Sequence, residues 1–155
     1  MITIRKAQAN DVPAIWSLRK TAIYKGCAGF YPDETLKIWA EAAPTDAFKH
    51  KVERDCYLAM LDERMVGMGM LNQHSGQVDA LFMDSEHMGQ GIGKEILAYL
   101  ENLARESGLK LLQLDASLNA VPFYRACGFS GEKASKYQSP TGVILDCMKL
   151  QKPLV

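Results

Sequence analysis

The chain has no net charge, no closely spaced cysteine pair and no long apolar run, and each absence removes a class of protein. Eighteen Lys and Arg residues balance eighteen Asp and Glu over 155 residues. No global field therefore draws the chain onto phosphate backbones or anionic lipid, and neither nucleic acid nor membrane is expected as a partner. The four cysteines, Cys27, Cys56, Cys127 and Cys147, are scattered and form no Cys-x-x-Cys pair. The opening Met-Ile-Thr-Ile-Arg lacks the basic-then-apolar layout of a signal peptide, so a reducing cytoplasm is the expected compartment. No apolar run approaches the roughly 20 residues needed to cross a bilayer. His50, His74 and His87 stand alone, without a second ligand at metal spacing, and no metal is expected. Repeats, low-complexity tracts and linkers are also missing.

What is present is one domain's worth of periodic sequence, residues 1–155, long enough for a compact fold to hide roughly 70% of the surface its unfolded chain exposes. Residues 2–8 alternate as a strand. Ile15, Leu18, Ala22 and Ile23 give the following helix a buried stripe, with Asn10 or Asp11 as its cap and Pro13 in its first turn. Two further helical stretches, 33–43 and 45–54, are separated by Pro44. Residues 56–61 and 65–73 flank the polar turn Asp62-Glu63-Arg64 as a hairpin, and 78–83 is a nearly apolar central strand interrupted by Asp79. The strongest helix signal follows, with Ile92, Ile96, Leu100 and Leu103 at helical spacing and Gly108 as its stop. A strand at 110–116, a short helix capped by Asn119 and a hairpin across Ser139-Pro140-Thr141 complete the chain. That order predicts an α/β fold: a mixed sheet with helices on both faces.

Between the central strand and the strongest helix lies Met88-Gly89-Gln90-Gly91-Ile92-Gly93-Lys94. Glycines on alternate positions strip Cβ atoms from one side of the turn, so successive N–H groups can close around an anion at the positive end of a helix. A P-loop would need a glycine at Met88 and Ser or Thr at Glu95. A dinucleotide fingerprint would need a third glycine at Lys94 or Ile96, normally after the first strand. Both fail, which leaves a pyrophosphate held in another fold.

Residues 78–83, the glycine turn 88–93 and Ala116-Ser117-Leu118-Asn119-Ala120-Val121-Pro122-Phe123-Tyr124-Arg125-Ala126-Cys127-Gly128-Phe129 together resemble the GNAT superfamily of N-acetyltransferases. Phe30-Tyr31-Pro32 through Trp39 further resembles a group of small bacterial members of uncertain substrate. The resemblance implies the GNAT-like acyltransferase fold, in which two neighbouring parallel strands, here those ending at Met83 and Ala116, splay apart to admit acetyl-coenzyme A. It assigns the pantetheine arm to the backbone of Leu81, Phe82 and Met83. The pyrophosphate falls to the N–H groups of Met88, Gly89, Gln90, Gly91, Ile92, Gly93 and Lys94, with Asn119 and Phe123 also on the coenzyme. Met88 departs from the family's usual Gln or Arg, so the backbone donors, aided by Gln90 or Lys94, would carry the phosphate contact. Asn119 can equally be a plain helix cap. Tyr124 matches the family's general acid, or else it is a core aromatic beside Phe123.

The implied reaction is direct attack by a primary amine on the thioester in a ternary complex. The acceptor would be a small molecule, a peptide or a protein, and a homodimer is common among relatives. The alternative is a non-catalytic module that binds acetyl-coenzyme A. An alkyl amine of pKa ~10.4 is about one part in 2,500 neutral at pH 7, a cost of ~4.6 kcal/mol that a carboxylate can relieve. By strand alternation Asp79 shares a face with Leu81 and Met83 and is the expected base, or the ion partner of a nearby Lys or Arg; His74 is a second candidate. Transfer of a proton from an unperturbed phenol to a thiolate is uphill by roughly 2 kcal/mol, so Tyr124 is expected to hydrogen-bond the developing charge first, and a backbone N–H near Met83 to meet the oxyanion. Met65, Met68 and Met70 read as core filling, Cys127 as an inert buried thiol, and Gly67 and Gly69 as sites of close approach. The aromatic stretch 22–43 is expected to cover the acceptor side, or to be ordinary helix packing.

Overall fold

A computed structural model describes residues 1–139 and 142–154. Strand β1 (Ile2–Lys6) leads into helices α1 (Val12–Cys27), α2 (Asp33–Glu41) and α3 (Asp46–Asp55). Strands β2 (Cys56–Leu61), β3 (Arg64–Leu71) and β4 (Val78–Met83) follow, then α4 (Ile92–Glu106), β5 (Leu111–Ser117), α5 (Val121–Ala126), β6 (Ser130–Gln138) and β7 (Ile144–Pro153). The proposed turn at Pro140 and Thr141 lies outside the described residues. Helix α3 starts where Thr45 Oγ1 accepts from the Phe48 N–H at 3.1 Å, a side-chain cap. The expected cap of α1 is not made: the Asp11 carboxylate is taken by the Arg5 guanidinium, at 2.9 Å on both oxygens, and by the Gln8 N–H.

The strands form two antiparallel sheets, ordered β1-β2-β3-β4 and β5-β7-β6. They join through one parallel bridge, Gln77 to Gln113, where the Gln113 N–H donates to the Gly76 carbonyl at 3.0 Å. Beyond it β4 and β5 run side by side without a ladder, so among the described residues no strand pairs with the edge of β4 from Val78 to Met83 that faces β5. The expected splay between two parallel strands is present.

Helix α4 seats on the first sheet through Ile92, Ile96, Leu97, Leu100 and Ala104, all at most 3% exposed. Each large side chain so buried contributes about 1.5–3 kcal/mol. Leu103 is only half-buried, while Glu101, expected off the stripe, is buried and accepts from Lys152 Nζ of β7 at 2.6 Å. Gly67 and Gly69 of β3 set the approach distance: a Cβ at either would stand 2.7 Å from Ile96. The close approach expected there is made by this helix. A second cluster, including Ile15, Val52, Leu58 and Met68, fills the opposite face of the sheet, and a third gathers Ile23, Tyr31, Trp39 and Leu145 under α1, α2 and β7. Among the described residues no helix is long and apolar enough to cross a membrane.

Candidate active site

The glycines of the turn divide their labour, and Gly93 departs from the bare side that the alternate spacing predicts. Gly89 and Gly91 sit at φ +81° and +80°, the left-handed region that side chains disfavour. A Cβ at either would meet nothing within 4 Å, so the space over the turn is open. Gly91 is the N-cap of α4 and has no side chain to accept from the helix, leaving the first-turn N–H groups directed outward. Gly93 serves packing instead. Its Cβ would lie 2.6 Å from Met83 Cε and 3.1 Å from Phe123 Cζ, which places the helix start hard against the end of β4 and against α5. Met88 is 61% exposed and Lys94 is exposed. Oriented backbone donors, a helix N-terminus and room above them suit a diphosphate.

A cavity of about 240 Å³ opens between β4 and β5, with Ala80, Leu81, Phe82, Leu114 and Tyr124 in its walls. Tyr124 is 7% exposed and packs edge-on to Phe123 and Phe129, at ring separations of 5.2 and 5.6 Å. Burial pushes its phenol far above the usual range, with a smaller push from Cys127. Phe123 packs on Tyr124 and under Gly93, away from the cavity lining.

Asp79 reaches the cavity by a route that strand alternation does not predict. Leu71 pairs with Val78 and Met70 with Ala80, so Asp79 is the extra residue of a β-bulge. The bulge resets the alternation: Val78, Leu81 and Met83 pack toward α4, whereas Ala80 and Phe82 pack toward α1 and α3. Asp79 does not follow the parity expected with Leu81 and Met83; its charged neighbours are Lys51, Asp55 and Arg54 of α3. Desolvation raises its carboxyl above the ordinary range, and Lys51 and Arg54 offset this only in part. His74 is exposed in the β3–β4 turn and does not line the cavity. Asn119 caps no helix. It lies in a 3-10 turn before α5, where its Oδ1 accepts from the Cys27 thiol at 3.3 Å.

The remaining walls come from segments distant in sequence. Trp16 of α1 donates from its indole N–H to the Ala42 carbonyl at 2.8 Å and packs edge-on to Phe48 of α3. Tyr31 donates to the Asp146 carbonyl at 2.6 Å and accepts from the Leu118 N–H at 3.0 Å, tying the α1–α2 loop to β7 and to the turn after β5. Of the aromatic stretch expected here, Tyr31 and Trp39 line the cavity, while Phe30 is 52% exposed and Tyr24 hydrogen-bonds Glu41 at the surface. Sequence reasoning missed Trp16, Arg19, Phe48, Lys51 and Tyr137, all of which line it. Only Arg19 left a signal: it sits four residues from both Ile15 and Ile23, inside the buried stripe of α1. Cys127 is half-buried with its thiol pushed up by burial, in keeping with an inert role. Among the described residues no three His, Cys, Asp or Glu side chains gather to hold a metal.

Comparisons with known proteins identify the family and the fold. The family model described as an acetyltransferase (GNAT) domain matches residues 27–151. The peptidyl-lysine N-acetyltransferase YjaB of Salmonella typhimurium is 29% identical over 133 residues, covering 83% of each chain. Among solved structures, a GCN5-related N-acetyltransferase from Rhodopseudomonas palustris superposes with a TM-score of 0.89 at 23% identity, over 98% of this chain and 95% of the other. The PaiA N-acetyltransferase of Thermoplasma acidophilum, solved with coenzyme A, gives 0.80 at 20% identity over 99% of each.

Proposed function

The chain belongs to the GNAT acetyltransferase family, and from that premise we propose that it transfers the acetyl group of acetyl-coenzyme A to a primary amine by direct attack in a ternary complex. The observation that carries this reading is the divergence of β4 from β5 beside the glycine turn. The unpaired edge of Leu81, Phe82 and Met83 can accept a pantetheine arm as an added strand. The N–H groups from Met88 to Lys94 hold the diphosphate, and the thioester then enters the cavity containing Tyr124 and Asp79. Asn119, whose Oδ1 accepts from the Cys27 thiol, keeps its amide N–H groups to offer the pantetheine.

Tyr124 acts as a hydrogen-bond donor to the leaving sulfur and delivers its proton late. Burial raises its phenol, which makes early transfer of that proton to the sulfur more unfavourable than the roughly 2 kcal/mol of the free groups and favours the hydrogen bond first. Asp79, its carboxyl raised by desolvation, takes a proton from the incoming ammonium directly or through water. A main-chain N–H near Met83 offers the oxyanion its donor. The test is release of free thiol from acetyl-coenzyme A across a panel of amines, with identification of the acetylated product. Amine-dependent release is expected. Tight coenzyme binding without release over a broad panel would instead make this a binding module.

A further inference from the structure

The cavity contains a buried cation that the transfer chemistry does not use. Arg19 is 8% exposed. Its guanidinium lies 3.9 Å from the Trp16 ring centroid, and it donates to the carbonyls of Trp39 at 2.8 Å and Ala40 at 3.5 Å near the end of α2. These contacts fix the plane of the group but supply only partial charge. A guanidinium has five N–H donors, and two main-chain carbonyls leave several over. No carboxylate among the described residues faces it: the one ionisable group acting on it is Tyr137, and burial pushes its pKa down to about 10. A charge kept out of water at this cost is ordinarily matched by an opposite charge.

Two further observations say what that opposite charge belongs to. The cavity is small, below the roughly 300–1,000 Å³ usual for ligand sites, and Trp16, Tyr31, Trp39 and Phe48 make much of its wall aromatic. It also carries two carboxylates: Asp115, paired with Lys149 at 3.1 Å, and Asp79, whose charged neighbours are on α3 and do not include Arg19. One largely apolar space, open to solvent at Asp79, therefore offers a cation and an anion that do not satisfy each other.

We propose that the acceptor is a small amino acid-like molecule with an apolar side chain, its carboxylate taken by the free N–H groups of Arg19 and its amine presented toward Asp79. This rests on the acetyl-transfer reading and narrows its substrate class. Arg19 is then a specificity residue that touches neither the thioester nor the transferred proton. The planar fork, held flat on Trp16, suits bidentate carboxylate recognition in a way a lysine ammonium does not.

The test compares matched acceptors that differ only in the carboxylate, such as phenylalanine with phenethylamine and leucine with 3-methylbutylamine, by thiol release. The wild-type protein is expected to prefer the amino acid in kcat/KM by at least tenfold. In Arg19→Gln that preference is expected to fall at least tenfold, toward equal use of both members of a pair, mostly through KM for the acceptor, with Arg19→Lys in between. Equal or better use of the decarboxylated amines by the wild-type protein overturns the proposal, and that comparison needs no variant to fold. So does a loss in Arg19→Gln that strikes both members of each pair alike, which would make Arg19 a staple for α2 and nothing more. If no acceptor releases thiol, calorimetry of phenylalanine and leucine binding to the coenzyme A-saturated protein separates the two ideas. Binding that weakens at least 30-fold in Arg19→Gln or Arg19→Lys sustains the carboxylate site while acetyl transfer fails; no binding overturns the carboxylate site as well.

Discussion

The two sides of the cleft are made of different material. The side assigned to the coenzyme is main chain: the free edge of β4 and the turn whose Gly89 and Gly91 leave open space above left-handed backbone. The side assigned to the acceptor is side chain: Trp16 and Arg19 from α1, Trp39 from α2, Phe48 and Lys51 from α3, Asp79 from a bulge in β4 and Tyr137 from β6. A backbone site demands little of side-chain identity beyond glycine where φ is positive, and Met88 can stand exposed in it without harm to the geometry. A side-chain site has no such tolerance, because each wall residue arrives from a different element and sets shape and charge by its own chemistry.

The sharpest way to break this contrast is to put a charge in the backbone cradle. Gly91→Glu adds an anion where open space now lies and forces a side chain into the left-handed region. The strain costs about 1–2 kcal/mol, so the fold survives, while coenzyme affinity measured by calorimetry is expected to fall more than 100-fold. An equally drastic loss of far-ultraviolet circular dichroism would show that the turn is needed for folding rather than binding.

Tyr124→Phe tests the next largest effect. Removing the hydroxyl leaves the rings packed on Phe123 and Phe129, so melting temperature and coenzyme Kd should hold. The value of kcat is expected to fall roughly 10–100-fold. Unchanged turnover across pH would remove Tyr124 from the reaction.

Asp79→Asn comes third and carries a sign that runs opposite to its kinetic effect. A carboxyl raised in the folded state is penalised when ionised, so that penalty is absent below the ordinary carboxylate pKa, grows as pH rises from there to the raised folded pKa, and is constant above it. The variant should therefore be slightly more stable than the wild type at pH 7 and indistinguishable from it near pH 3, by thermal melts. Turnover at pH 7 is expected to drop about tenfold, and the acid limb of the rate profile, which in the wild type lies above the ordinary carboxylate range, should vanish. A retained acid limb would assign the base elsewhere.

The smallest effect sharpens the contrast from the tolerant side. Met88→Arg restores a residue type usual in the family at an exposed position and adds one screened charge near the diphosphate. Coenzyme Kd should tighten about two- to fivefold, and less at high salt.

The same contrast explains what could be read before folding. Strand and helix periodicities placed nearly every element, and α4 with its glycine turn was the clearest of all, because local backbone demands are written in neighbouring residues. The bulge at Asp79 was not legible, since it exists only in the register of β4 against β3; nor was the Cys27–Asn119 contact, which joins residues 92 apart. Arg19 was passed over because apolar residues define a stripe, although its place midway between Ile15 and Ile23 marked it as buried. Nothing local marks Trp16, Phe48 or Tyr137 as neighbours.

The central claim is that the main chain of the turn and of the free β4 edge grips the coenzyme. It is tested most directly by following backbone amide resonances of the isotopically labelled protein as acetyl-coenzyme A is added. The largest shifts are expected at Gly89, Gln90, Gly91, Ile92, Gly93 and Lys94, with a second group at Leu81, Phe82 and Met83. Saturable binding that left both groups unmoved, or no binding at all, would contradict it.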